Sequence, residues 1–254
     1  MATQLTVSAG QYSHKGRKAL NQDAIGLLVP QEPLLTAKGI AMAIADGISS
    51  SEVSDIASKA VVQGFLDDYY CTSETWSVKK SALQVISALN SWLFSQTQKS
   101  DFRFERDKGY VCTLSAVVLK STSAHWFHLG DSRIYLLRQG ELSQLTQDHR
   151  HIESAEKSYL SRAMGVKNQL ELDTDSFDLQ VNDILILTTD GIHEFVDSTQ
   201  LIELITQHKD DLNQAAKIIA QSALDNGSDD NLSMQIIKVE SLPSLDVKEK
   251  LQQL

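Results

Sequence analysis

Residues 40–51, IAMAIADGISSS, end an apolar, strand-like run on a carboxylate, Asp46, followed by Gly47 and three serines. A carboxylate set against a hydrophobic core is costly unless something pairs with it. The pattern recurs along the chain. Asp131 follows HWFHLG, Asp190 follows ILILTT and precedes Gly191, Asp229 and Asp230 stand just before NLSMQII, and Asp23 heads AIGLLV. A single Asp at a strand end is ordinary turn and cap chemistry. Recurrence at five places, two of them with the same apolar-Asp-Gly form, points instead to carboxylates meeting at a sheet rim. Converging carboxylates repel and must be neutralised, and their sequence neighbours are Gly, Ser, Thr and Asn, with too few bases to pair with them all. Divalent ions are the simplest neutraliser. Oxygen donors, with no His or Cys at ligand spacing, favour magnesium or manganese over zinc or copper. Gly47 and Gly191, lacking side chains, would let a backbone carbonyl approach an ion closely. Two such ions side by side can bridge a hydroxide and polarise a phosphoryl oxygen, which is phosphoester hydrolysis without a nucleophilic residue.

The elements that must position these groups are legible as short runs. LTVSAGQYS, DAIGLLV and GIAMAIA read as three strands bounded by Gly, Pro, Asn or Asp. Two amphipathic helices follow. The first is expected to open on a capping box of Ser49 and Glu52 and to bury Val53, Ile56, Ala60 and Phe65; the second would bury Val78, Val85, Ile86, Leu89, Trp92 and Leu93. Past a charged connector, VCTLSAVVLK, AHWFHLGD, SRIYLLRQ and ELSQLT return to strands, with Gln139-Gly140 as a hairpin turn. The polar QDHRHIESAEKS leads to YLSRAMG, read as at most a short helical turn. LELDTDSF, DILILTTD, a helix pair over 198–224 and a last strand, NLSMQIIKV, complete the chain. Many short strands with antiparallel helix pairs indicate α+β layers rather than a doubly wound parallel sheet.

The composition of the 254 residues, 42% hydrophobic and 22% charged, is that of a globular protein. The sequence shows no apolar stretch long enough for a bilayer and no secretory signal, so the chain is expected in the cytoplasm without membrane contact. Two cysteines, Cys71 and Cys112, supply neither a disulfide framework nor a zinc site. A formal net charge of −10 argues against nucleic acid as a partner.

GRKALNQDA, AIADGISS, FHLGDSRIYLL, LTTDGIHEF and DDNLSMQIIKV together resemble, in order and approximate spacing, the metal-dependent serine/threonine protein phosphatases of the PP2C family. The resemblance runs from about Gly16 to Val239. It implies a four-layer α-β-β-α sandwich, two antiparallel sheets flanked by helix pairs, and a domain over 1–240 with 241–254 as a tail or linker. It implies Mn2+ or Mg2+ as cofactor, two ions with a third, weaker one, and phosphorylated proteins as substrates. Asp46 would bridge two ions with the Gly47 carbonyl beside it, Asp190 and Asp230 would hold the first ion, and Asp23 would serve the second mostly through water. Gln22 stands where Glu is frequent, and Asp131 would help hold the third ion. Asp46, Asp190 and Asp230 are thus the expected catalytic set. SHKGRKALNQD, ADGISSSEVSDIAS, DDYYCTSETWSVK and GYVCTLSAVV resemble most the phosphatase half of bacterial proteins that carry a serine/threonine kinase domain after it. A kinase, fused or separate, is therefore an expected partner.

The sequence also departs from the family pattern. The phosphate-binding Arg expected five residues before the metal Asp is Lys18, with Arg17 one further back, so either could meet phosphate, and Lys lacks the bidentate fork. Ile48 stands where some members carry His, Ser49-Ser50 replace Gly-Gly, and Val111-Cys112-Thr113 replace Gly-Thr-Thr; the flap after LTQDH is short. His149 and His151 read as solvated loop residues, His193 as facing the rim or away from it, Ser132 and Arg133 as fixing the Asp131 loop, and Trp76, Trp92 and Trp126 as core. The alternatives to a phosphatase are a catalytically weak metal-binding domain that docks a kinase, and an aspartyl-phosphate enzyme, for which no Asp-X-Asp-X-Thr motif exists.

Overall fold

The computed structural model describes residues 4–154 and 157–244. Twelve strands alternate with helices in the order β1 (Thr6–His14), β2 (Ala24–Leu28), α1 (Leu34–Lys38), β3 (Ile40–Ala45), α2 (Ser54–Cys71), α3 (Val78–Lys99), β4 (Leu114–Lys120), β5 (Ser123–Leu129), β6 (Arg133–Arg138), β7 (Glu141–Gln144), β8 (Arg150–Ser154), β9 (Lys157–Leu160), β10 (Asp173–Asp178), β11 (Ile184–Thr188), α4 (Asp190–His193), α5 (Ser198–Gln207), α6 (Leu212–Asp225) and β12 (Leu232–Ser241).

Two five-stranded sheets, ordered β1-β12-β11-β6-β7 and β10-β5-β4-β3-β2, are antiparallel throughout. Strands buried on both faces lose the polar alternation of a half-exposed sheet. β3 accordingly reads as an unbroken apolar run and β11 as one up to its last residue, Thr188, and every residue of each is buried. The facing sides pack Ile40, Met42, Ile44, Val117 and Leu119 against Ile134, Leu185, Leu187, Ile237 and Val239. The outer face of one sheet is covered by α2 and α3 through Val61, Phe65, Ile86 and Leu93, and that of the other by α5 and α6 through Leu201, Ile205, Ala216 and Ile219. These are the four layers expected. β12 reaches Ser241, which still pairs with Thr6. The tail expected from 241 onward lies, from 245, outside the described residues.

Several local expectations are corrected. α2 opens at Ser54 without a side-chain cap, not on a Ser49–Glu52 box. Ser51 instead turns its hydroxyl to the carbonyls of Lys108 and Gly109, and it accepts from the Val53 amide, so 49–53 form a connection before the helix. The buried face therefore runs through Ala57, Val61, Phe65 and Tyr69, and Ile56 is 47% exposed. On α3, Trp92 is 43% exposed and meets Tyr110 edge-on, because Ala82, Val85, Ile86 and Leu93 take the inward stripe. Trp76 and Trp126 are half-buried. Gln139 and Gly140 do form the β6–β7 turn, both with positive φ, as a two-residue hairpin demands. After LTQDH come β8 and β9, which among the described residues pair with no other strand, and YLSRAMG runs on from the end of β9 without forming the helical turn expected there.

Candidate metal centre

Antiparallel pairing sets the end of one strand beside the start of the next, and this brings the five carboxylates together. Ala24 pairs with Ala45, so Asp23 and Asp46 flank the same edge of one sheet. Thr188 pairs with both Met234 and Arg133, which sets Asp190, Asp230 and the Asp131 loop on the corresponding edge of the other sheet. Asp131 lies where the chain crosses between the sheets, after β5 and before β6.

The loops are fixed by hydrogen bonds from side chains that the sequence offers for that purpose. The Asp46 amide donates to Thr113 Oγ1 at 2.9 Å, the Thr113 amide returns a bond to the Asp46 carbonyl at 2.8 Å, and Thr113 Oγ1 meets Ser132 Oγ at 2.8 Å. One threonine thus joins the Asp46 and Asp131 turns. Asn231 accepts from the Gln22 amide and donates to the carbonyls of Lys15 and Leu20, tying the loop before Asp23 to the start of β12. Gln22 itself reaches Ser51 and Ser54 rather than the cluster. Arg133 forks onto Asp148 and reaches the Tyr135 hydroxyl, so Ser132 and Arg133 brace the loop as expected.

The two glycines serve close backbone packing. A Cβ on Gly47 would stand 2.7 Å from the Gln22 carbonyl oxygen, and one on Gly191 would stand 2.0 Å from the Asn231 carbonyl oxygen. The Gly191 carbonyl accepts from Ser228 Oγ at 2.9 Å, so it is engaged by the protein.

The carboxylates line a cleft of about 580 Å³, in which Asp46, Asp131, Asp190 and Asp230 share the wall with Asp107, Arg150, Ile48 and Leu160, and among the described residues no His or Cys lines it. Asp23 lies behind them, 4% exposed, with Oδ2 accepting from Thr189 Oγ1 at 3.0 Å and Oδ1 buried without a hydrogen-bond partner. Burial pushes the Asp23 carboxyl up to about 6. Burial, then the fields of Asp131 and Asp230, push Asp190 up to about 7. Asp46 is raised well above the usual carboxylate range by burial and by the charges of Asp23, Asp190, Asp131 and Asp230. Asp229, the neighbour set aside in favour of Asp230, is exposed.

Among the described residues two side-chain cations reach the cluster. Lys18 Nζ stands 3.2 Å from Asp230 Oδ2. Arg150 contacts Asp131, Glu194 and, at 2.6 Å, Asp190 Oδ2. Arg17 turns away and donates to the Leu224 carbonyl at 3.2 Å. Arg150 was not anticipated, because its local sequence, QDHRH, draws the eye to the histidines flanking it. Among the described residues, neither Asp46 nor Asp23 has a basic partner, and no three His, Cys, Asp or Glu side chains stand, as placed, in an arrangement that could hold a metal ion. Asp131, Asp190 and Asp230 each spend one oxygen on a cation.

The histidines do other work. His149 is buried rather than solvated: Nδ1 accepts from the Gly130 amide and Nε2 lies 2.9 Å from Asp173. His193 faces a separate cavity beside Arg133 and Tyr135, bonds Thr188, and is pushed down to about 3 by burial and nearby arginines. His151 is exposed.

An α-β-β-α sandwich whose rim gathers buried and half-buried, mutually repelling carboxylates presents oxygen donors of the kind that hard divalent ions prefer. The model of the family described as Protein phosphatase 2C matches residues 10–227, and the chain belongs to that family. It is 27% identical over 217 residues to the serine/threonine phosphatase stp of Listeria welshimeri, covering 77% of this chain and 82% of that protein. The serine/threonine phosphatase of S. agalactiae superposes with a TM-score of 0.81 at 23% identity, over 92% of this chain and all of its own. The catalytic domain of the serine threonine protein phosphatase PstP, solved in complex with 2 manganese ions, gives a TM-score of 0.75 at 22% identity, over 94% of this chain and 100% of its own. Among the described residues no helix is long and apolar enough to cross a membrane.

Proposed function

We propose that the chain is a protein serine/threonine phosphatase that hydrolyses phosphoserine and phosphothreonine with two Mn2+ or Mg2+ ions, and that Asp131 contributes to a third. The observation that carries this is Asp46: crowded by four other carboxylates, it has no basic partner among the described residues, and behind it Asp23 buries an unpartnered oxygen. Such a site is unfavourable by itself and becomes favourable around divalent charge. The donor set, all oxygen, suits these ions. Asp46 would bridge, with the Gly47 carbonyl beside it; Asp190 and Asp230 would hold one ion, and Asp23 would serve the other. When bound, the ions supply a nucleophilic water at neutral pH and neutralise charge on the phosphoryl group.

The remaining work falls to the chain. Thr113 and Asn231 hold the turns in register, Lys18 stands at the cluster as a point charge for phosphate, and Ile48, Leu160, Ala163 and Val166 shape the cleft wall against which a peptide would lie. The family supports phosphoproteins as the substrate class, and a partner kinase, fused after this domain or separate, completes the reading, with 1–240 as the phosphatase domain acting in the cytoplasm.

The test is hydrolysis of p-nitrophenyl phosphate and of a phosphothreonine peptide with and without Mn2+. Turnover should require the ion, and Asp46→Asn should lower it on the order of a hundredfold or more with the fold intact. Turnover that ignores Mn2+, or that survives Asp46→Asn, refutes the proposal.

A further inference from the structure

Arg150, the first residue of β8, is half-buried at the mouth of the cleft and commits each guanidinium nitrogen to a different carboxylate: Nε to Asp131, Nη2 to Asp190 and Nη1 to Glu194. Asp131 and Asp190 are also two of the residues through which the cleft would hold a divalent ion. The carboxylate oxygens that a guanidinium engages end-on are not free to ligate an ion, and two cations at such separation repel strongly. Guanidinium and ion therefore exclude one another there. We propose that Arg150 is a tethered cation that competes with divalent metal for Asp131 and Asp190, and so sets the affinity of the cleft for the ion. The inference rests on the metal-dependent reading above.

The surroundings of Arg150 suit such an exchange. Its neighbour His149 is locked to the turn that carries Asp131: the His149 amide donates to the Gly130 carbonyl at 2.7 Å, the Gly130 amide donates to His149 Nδ1 at 3.1 Å, and the Ser161 amide donates to the His149 carbonyl at 2.8 Å. The root of the β8–β9 hairpin thus stays beside the cleft, and Arg150 competes at the high effective concentration of a group tethered next to its target. Beyond that root, β8 and β9 pair, among the described residues, only with each other, so β8 can shift without breaking a ladder of either five-stranded sheet. Arginine also suits the role better than lysine, because its planar fork presents donors in several directions at once. The apparent affinity for the ion is then the intrinsic one reduced by the fraction of molecules in which the arginine has let go.

The experiment measures Mn2+ binding to the whole chain by calorimetry and by the electron paramagnetic resonance signal of free Mn2+, for wild type, Arg150→Gln and Arg150→Lys. Arg150→Gln should tighten the weakest class of Mn2+ sites by about tenfold or more. Arg150→Lys should follow most of the way, since an ammonium keeps the charge but cannot bridge three carboxylates. Equal Mn2+ binding by wild type and Arg150→Gln, or weaker binding by the variant, overturns this inference while the metal reading stands. If Arg150→Gln tightens binding while Arg150→Lys matches wild type, charge alone is responsible and the bridging competition is refuted. Absence of Mn2+ binding by all three proteins overturns the metal reading and this inference with it.

Discussion

Asp23→Asn isolates the cost of keeping a carboxylate at the sheet rim. The wild-type carboxyl is 4% exposed, leaves Oδ1 without a partner, and titrates near 6 in the fold against 3.8 as its ordinary value. A folded-state pKa raised in this way contributes stability that is fully present below the unfolded value and is lost as pH rises through the folded one. At about 1.4 kcal/mol per pH unit, that loss is on the order of 3 kcal/mol at pH 8 and roughly half of that at pH 5. Asparagine has nearly the same shape, keeps an oxygen for the Thr189 hydroxyl, and carries no charge. In EDTA at pH 8 the variant should therefore unfold in guanidinium with up to about 3 kcal/mol more stability than wild type, or roughly 6–12 °C higher in Tm, and the gap should narrow by half at pH 5. Adding Mn2+ should shift the balance the other way, because the wild type gains stabilisation by binding that the variant gains less of. A variant no more stable than wild type at pH 8 in EDTA, or a gap that ignores pH, would refute the view that Asp23 is held charged at the expense of the fold.

Three further outcomes follow from the geometry. Lys18→Ala should raise the KM for a phosphopeptide roughly tenfold, while Arg17→Ala, whose guanidinium faces the Leu224 carbonyl, changes it less than twofold in steady-state assays. Gly191→Ala drives a methyl group to 2.0 Å from the Asn231 carbonyl oxygen, a backbone atom with no slack, and should cost about 3 kcal/mol or more in denaturant unfolding while loosening Mn2+ binding. Asp46→Asn, besides its loss of turnover, should raise Tm in EDTA, since it removes one of five mutually repelling charges.

The sheets were legible because each strand states its own environment: β3 is apolar at every position and β11 at all but its last, Thr188, and the hairpin at Gln139-Gly140 announces its turn. The carboxylates were legible for a related reason, since an ionisable residue directly after such a strand conflicts with its surroundings. What the sequence did not reveal depends on partners remote in the chain. Ser49 and Glu52 satisfy the local pattern of a helix start, yet Ser51 is drawn off by the carbonyls of Lys108 and Gly109, and the helix begins later. His149 looks like any loop histidine until Gly130 and Asp173 close around it. Arg150 reaches residues 19, 40 and 44 positions away, and no periodicity in QDHRH encodes that reach. The glycines after Asp46 and Asp190 were noticed, but their role is set by the backbone across from them.

The cluster draws Asp23 and Asp46 from one sheet, Asp190 and Asp230 from the other, and Asp131 from the crossover between them. Neither half of the sandwich can assemble the site alone. A cation seated among these groups, as proposed, would act as a rivet through both sheets at their open edge. Loosening the sandwich at that edge would release the ion, and withdrawing the ion would loosen the edge.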